Sequence, residues 1–494
     1  RMNENLSRTS AGYIRKAAVV QTIAHITVRC DGAAGVLGVS ANAAVRVSET
    51  ISGEVRLAGR ESVDLTVTTE DGLKKASGFA EISDRAEIEG VTPQTRAFAV
   101  CRVTDTDIVS VGGGSITLAS VVETTVYVEE RAVVPLAPSA EDGIYTDSSD
   151  TAFSCLTSRF SVRIESGDSE KLPITEVVCC NAGFAADAPE AALDAVYISG
   201  RFVLEGVGKT ADGGITPFTV ELPVSTEAAA DGARRGDVAF IMTGGVYVSE
   251  SRSENGVVLS AGAEVCVETY GTAQFAAVTD AFSPLCELKL TRTHIVGLKV
   301  DGAHTLTDKA EGTVTLPEGD AADKVTAVSG FTVTALSAYA ENGRTVLEGA
   351  VSGYVIYSDA EAGRRGSAVA ELPFRITTDV PASDGDEPRA DGSVFSVTAR
   401  PARKGEISVT CSLRFSVLEC SRVEADPVTA MEKGEAKEEK TGVLSMHSAS
   451  GSETLWDCAK ALSVSPESVL AQNPDVTFPL SKGEKVFVFR SAGA

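Results

Sequence analysis

Four histidines, ten cysteines and 69 carboxylates are the side chains of this 494-residue sequence that could do chemistry. A metalloenzyme or hydrolase would hold them at fixed spacings. None of His25, His294, His304 and His447 lies in an HExxH helix, a Cys/His cluster or a nucleophile elbow. His294 and His304 read as flanking a turn where each could meet a carboxylate, and imidazoles paired in that way are far commoner than catalytic ones. The cysteines include the adjacent Cys179 and Cys180, and Cys411 and Cys420 on one strand-like run, but no CxxC and no His at zinc spacing. Such irregular spacing reads as reduced, mostly buried thiols, not as the disulfide framework of a small secreted domain. The Gly-rich "SVGGGSITL" around Gly112 and "TGGVYV" around Gly244 lack a P-loop Lys and a following helix, so both read as hairpin turns. "PASDGDEPRADGS", with Asp384, Asp386 and Glu387, departs from the EF-hand order. Two carboxylates for glycoside hydrolysis would arise by chance among so many acids. The expectation is a chain with no active site, no cofactor and no metal.

Charge narrows the partners. The formal net charge is −25, against the dense basic face that nucleic acid or an anionic membrane surface requires. No segment approaches the about 18–20 continuous apolar residues of a membrane span, and "RMNENLSRTSAGYIRKAAVVQTIAHITVRC" holds no signal-peptide core. A cytoplasmic protein without direct membrane insertion is the expectation.

The elements that would position any site are strands. Alternating runs rich in Val and Thr recur: "ESVDLTVTTE", "SITLASVVETTVYVEE", "TVLEGAVSGYVIYSD", "EISVTCSLRFSVLEC". Asn-Gly and Asp-Gly turns in "ENGR", "EDGL", "ADGG" and "SENGV" punctuate them. A mainly β fold follows, with antiparallel sheets closing into sandwiches or barrels. Internal similarity then divides the chain. Residues 203–226 and 346–378 both carry Val-Leu-Glu-Gly, a Gly-rich hairpin, and Glu-Leu-Pro followed by an apolar residue. Residues 1–130 form a weaker copy without that triplet. The expected organisation is β unit 1 at 1–130, a connector with a bridging strand at 131–164, and unit 2 at 165–272. A connector with bridging strands at 273–313 and unit 3 at 314–424 follow. The charged stretch 425–441 reads as a linker, and a small strand–helix–helix–strand domain occupies 442–494.

In that last piece, Ser450 or Ser452 is the expected cap of a first helix that carries Leu455, Ala459 and Leu462 on one face, with Trp456 in the core. Ser465-Pro466-Glu467 starts a second helix and Asn473-Pro474 stops it. These residues resemble the LysM domain. The family's Gly-Asp-Thr-Leu turn corresponds to Ser452-Glu453-Thr454-Leu455. Cys458-Ala459, Val464-Ser465, Leu470 with Asn473, and Leu480 through Gly483 follow its later landmarks. The resemblance implies a shallow groove for N-acetylglucosamine polymers, with Glu453, Thr454 and Leu455 on one lip and Asn473, Pro474, Asp475 and Val476 on the other. Ser452 and Glu453 depart from the family's Gly and Asp, and a larger side chain at a point of close backbone approach obstructs a glycan. The alternative is that Thr454, Leu455 and Asn473 simply hold the fold.

Serial "VLEG…ELPF" units before a C-terminal LysM resemble the SPOCS domains of endospore-forming Firmicutes. That resemblance implies a non-enzymatic adaptor of spore coat assembly, working in the mother cell at the forespore surface. Its LysM domain would dock a coat-morphogenetic protein such as the forespore-coating ATPase. The competing expectation is a cell-wall protein that binds peptidoglycan or another N-acetylglucosamine polymer. A third is an accessory subunit without chemistry of its own.

Overall fold

Asn342 and Gly343 adopt φ angles of +52° and +79°, the left-handed pair that a two-residue hairpin needs. "ENGR" accordingly joins two long strands, and Gly112–Gly114 turn another pair in the same way. The computed structural model describes residues 8–135, 143–360, 363–403, 405–437 and 443–490. These are mainly strand, as the alternation predicts, with two short helices.

The first segment contains β1 (Arg8–Arg29), β2 (Gly35–Ile51), β3 (Glu54–Thr69), β4 (Gly72–Glu87), β5 (Ala97–Gly112) and β6 (Ser115–Pro135). The second runs through β7 (Tyr145–Glu165), β8 (Glu170–Leu172), β9 (Glu176–Ala186), β10 (Glu190–Ala192), β11 (Ala195–Lys209), β12 (Ile215–Ala229), β13 (Val238–Ser253) and β14 (Gly256–Phe282). After β15 (Cys286–Arg292) the third holds β16 (Ile295–Thr315), β17 (Lys324–Glu341), β18 (Arg344–Asp359), β19 (Arg364–Pro381), β20 (Arg389–Pro401) and β21 (Glu406–Ala425). Then come β22 (Val428–Ala436), β23 (Val443–Ser448), α1 (Leu455–Leu462), α2 (Pro466–Gln472) and β24 (Lys485–Arg490). In each large segment the last strand lies between the first and the penultimate: β1-β6-β5, β7-β14-β13 and β16-β21-β20. The intervening strands form a meander: β2-β3-β4, β9-β11-β12 and β17-β18-β19. All of these pairs are antiparallel.

Pairing redraws two of the sequence boundaries. The stretch expected to bridge at 131–164 contains β7, which pairs with β14 from Tyr145↔Phe282 to Glu165↔Gly262 and so opens the second segment. Residues 136–142 of that connector lie outside the described residues. Likewise β16, expected within a connector ending at 313, pairs along β21 and opens the third segment. The expected linker at 425–441 is also corrected. Its residues 428–436 form β22 and pair with β15, while 438–442 lie outside the described residues. Beyond Met431 this strand is exposed on both faces, so no sustained apolar alternation betrays it in sequence.

Each segment closes its two sheets on an aliphatic core. Leu57 and Val55 meet Val122 and Val126 in the first, and Phe202 and Leu204 meet Val265 and Val267 in the second. Leu347 and Val351 meet Ile407 and Phe415 in the third. Between the two apolar clusters of the first segment sits Glu61, with no exposed surface and neither oxygen in a hydrogen bond. Burial pushes its carboxyl above the usual range, against a lowering influence of the nearby Ser120 hydroxyl. A group with a raised folded pKa contributes full stability below its unfolded value and loses it as pH rises through the folded value. Glu61→Gln is therefore expected to stabilise the protein at pH 7 by about 1–3 kcal/mol. The gain should shrink as pH falls towards 4, and urea unfolding across that range reads it.

Three glycines occupy one position of the central meander strands: Gly59 in β3, Gly206 in β11 and Gly349 in β18. A Cβ there would stand 2.1, 2.2 and 2.1 Å from the main-chain oxygens of Ala44, Cys179 and Ala335. Gly206 pairs with Phe218 and Gly349 with Phe374. The structure therefore aligns Pro217-Phe218 with Pro373-Phe374, not the two Glu-Leu-Pro triplets matched in sequence. The triplets drift because β18 runs further past its glycine than β11 does before turning. Gly349→Ala is expected to cost about 1–3 kcal/mol through backbone displacement. Gly451→Ala, where nothing stands within 4 Å, should be near neutral in the same melt.

The three segments meet around shared residues. Leu37 and Leu73 of the first, Val178 and Val207 of the second, and Ala327 and Ile356 of the third form one buried cluster. At a second junction, the fully buried Glu268 on β14 faces Arg159 on β7 (Nε–Oε1 3.0 Å) and Arg389 on β20 (Nη1–Oε2 2.7 Å). The Tyr270 hydroxyl donates to the same carboxylate at 2.7 Å. The first segment covers the cations with rings, Phe98 under Arg159 at 3.5 Å and Tyr127 under Arg389 at 4.8 Å.

Candidate functional site

The groups weighed first for chemistry are engaged otherwise. His294 and His304 do not flank a turn. His294 immediately precedes β16 and His304 lies within it, facing Asp426 at 2.9 Å and Glu419 at 2.7 Å respectively. Gly112–Gly114 form a hairpin turn. Gly244 and Gly245 instead lie inside β13 at a break in its register with β14, where Asn42 of the first segment donates to Val246 O at 2.5 Å. Asp386 accepts from the main-chain N–H groups of Ser383 and Arg422, and so shapes its own loop. All ten cysteines are free. Burial pushes the thiols of Cys101 and Cys420 up to about 11 and that of Cys411 up to about 12, which keeps them protonated at neutral pH.

A cleft of about 720 Å³ opens between the first and second segments, lined among others by Arg60, Phe98, Cys101, Arg159, Glu264 and Cys266. Its thiols are among the raised ones. Among the described residues no helix is long and apolar enough to cross a membrane.

The terminal piece is built from its caps outward. Helix α1 begins at Leu455, so Thr454 is its N-cap, and not Ser450 or Ser452 as the sequence suggests. Thr454 and Asp457 form a reciprocal capping box: Asp457 N–H donates to Thr454 Oγ1 at 3.3 Å and Thr454 N–H to Asp457 Oδ2 at 2.8 Å. Ser465 caps α2, with Pro466 at its first position. Asn473, buried at the end of α2, donates to Val469 O and Phe487 O and accepts from Phe487 N–H, each at 2.8–2.9 Å. Gln472, which sequence reasoning overlooked, accepts from Phe489 N–H at 2.7 Å. A Gln-Asn pair at a helix end thus occupies one edge of β24, whose other edge pairs with β23.

Of the expected groove residues, Thr454 and Asn473 are spent on these fold contacts. Leu455 and Val476 are half-buried against the terminal core, while Pro474 and Asp475 are exposed. Glu453 pairs through its backbone with Leu480. Its carboxylate meets His447 Nε2 and accepts from the Ser450 N–H and hydroxyl. These contacts, led by the Ser450 N–H, hold the Glu453 carboxyl down to about 2. Although the sequence holds no CxxC and no His at zinc spacing, the fold brings Cys458 beside His447 and Glu453.

Trp456 lies at a boundary and not wholly within this piece. Its ring meets Phe282 edge-on at 4.9 Å and its indole N–H donates to Asp280 Oδ2 at 3.0 Å. Lys460 pairs with the same carboxylate at 2.5 Å. The end of β14 is thus the seat of α1, and the β15–β22 ribbon brings the chain back to it.

The opposite side of the piece is bare. Leu444 and Met446 on β23 face Phe489 and Phe487 on β24, and the four are 43–64% exposed. Ser445 and His447 point inward on β23, as do Val486 and Val488 on β24. Among the described residues β23 pairs with β24 alone, which leaves its second edge open. In comparisons with known proteins no family model matches the chain, and no curated protein or solved structure matches it at the significance required.

Proposed function

We propose that the chain is a non-enzymatic scaffold of spore coat assembly, made of three serial SPOCS-type β-sandwich units and a LysM-type terminal domain. It works in the mother-cell cytoplasm at the forespore surface and docks a coat-basement protein such as the forespore-coating ATPase. The observation that carries the reading is the apolar patch of Leu444, Met446, Phe487 and Phe489 beside an open strand edge. Aromatic and aliphatic anchors beside a free backbone edge suit a protein partner, which can add a strand and fill the face at once. A glycan instead needs free polar groups, and the Asn473 amide and the Thr454 hydroxyl are already engaged in the fold.

Titration of the full chain with chitooligosaccharide in a calorimeter tests the choice. The expected result is no saturable heat. Saturable binding that Asp475→Ala weakens would overturn the docking reading in favour of the cell-wall one. Val476 is unsuitable as a probe because it packs on the terminal core.

A further inference from the structure

We propose that His447, Glu453 and Cys458 form a binding site for a divalent transition metal, with zinc as the fitting ion. The residues come from three places: His447 from β23, Glu453 from the turn before α1, and Cys458 from α1 itself. One ligand atom from each, an imidazole nitrogen, a carboxylate oxygen and a thiol sulfur, lies within 4.8 Å of the others. Tetrahedral zinc with bonds of about 2.0–2.3 Å holds its ligand atoms roughly 3.3–3.8 Å apart, so closure needs shifts on the order of an ångström. The donor set mixes one borderline nitrogen, one hard oxygen and one soft sulfur. That mixture suits zinc and disfavours magnesium or calcium, which take oxygen alone.

Burial and orientation support the assignment. Cys458 is fully buried, whereas the His447 and Glu453 side chains are 25% and 19% exposed. An ion would therefore enter from the surface with the sulfur behind it and a solvent molecule in the fourth position. Glu453 is already aimed, because its other oxygen accepts from the Ser450 N–H and hydroxyl, the outer contact that a ligating carboxylate ordinarily has. The Glu453 and Asp457 carboxylates beside Cys458 also draw a cation in. Binding breaks the His447–Glu453 hydrogen bond, whose Nε2 proton passes to solvent or, through it, to Nδ1; two metal–ligand bonds replace it, a metal–sulfur bond forms, and the thiol proton is released to solvent.

This inference is independent of the docking reading. It makes the corner between β23 and α1 a metal-stapled one, so zinc should raise the melting temperature of the terminal piece. The test is equilibrium dialysis of the full chain against zinc, with cobalt(II) as a spectroscopic substitute. The expected result is one zinc per chain and a thiolate-to-cobalt charge-transfer band. Affinity should fall at least about tenfold in His447→Gln, and Cys458→Ser should lose the band. Because Cys458 is buried, circular dichroism checks that variant's fold, and His447→Gln, on a partly exposed strand position, decides the matter if it does not fold. Absence of zinc binding, or binding of equal strength in wild type and His447→Gln, would overturn the proposal.

Discussion

Glu268→Ala is expected to destabilise the protein by about 3–5 kcal/mol, the cost of leaving buried cations without their counter-charge. Glu268 has no exposed surface, and the Arg159 and Arg389 side chains are 4% and 14% exposed. Removing the carboxylate strands two guanidinium groups between three β segments, with the Phe98 ring left against Arg159, and the Tyr127 and Phe240 rings and the Tyr270 hydroxyl left against Arg389. Burial by itself would raise the Glu268 carboxyl, but Arg389 and then Arg159 hold it below the usual range. A depressed carboxyl contributes stability above its unfolded value and loses it as pH falls through the folded one. The Glu268 contribution should therefore persist through neutral pH and disappear on strong acidification, the reverse of Glu61. Urea unfolding at pH 7 measures the effect. A loss below 1 kcal/mol would mean that the junction does not depend on this network.

The second large effect concerns the bare sheet face. Leu444→Asp combined with Phe487→Asp should leave the terminal piece folded, because both side chains point away from the core that Val486, Val488 and Ala459 make. Binding to the purified coat-basement ATPase should weaken by at least about 30-fold, the equivalent of ~2 kcal/mol at a hot spot. Each new carboxylate would be pressed into an apolar contact with no partner charge. Fluorescence anisotropy of labelled full chain reads the affinity, and circular dichroism checks the fold. Unchanged affinity would remove this face from the interface.

Strand identity is legible because half-buried strands alternate and Asn-Gly turns have a steric signature; Asn342-Gly343 shows both. The cap of α2 is legible for a similar reason, since Ser465-Pro466 acts locally. What remains hidden is pairing across distance. Nothing in residues 145–165 says that their partner is 262–282, because alternation specifies a face and not a neighbour. The match between Glu-Leu-Pro triplets misleads for the same reason, as the constraint that recurs is steric, a glycine against a carbonyl. Glu268 with its two arginines looks in sequence like any surface charge. His447, Glu453 and Cys458 carry no family spacing and meet only when β23 folds back beside α1. Within the expected groove, Asn473 is legible as a helix stop, but its second task of clamping β24 depends on a strand that begins twelve residues later.

Fluorescence microscopy of sporulating cells carrying the full chain fused to a fluorescent protein tests the adaptor reading most directly. The account predicts that the wild-type fusion encircles the forespore, and that the Leu444→Asp, Phe487→Asp variant at equal abundance is diffuse in the mother cell. A wild-type fusion that follows the vegetative cell wall, or a variant that encircles the forespore as the wild type does, would contradict it.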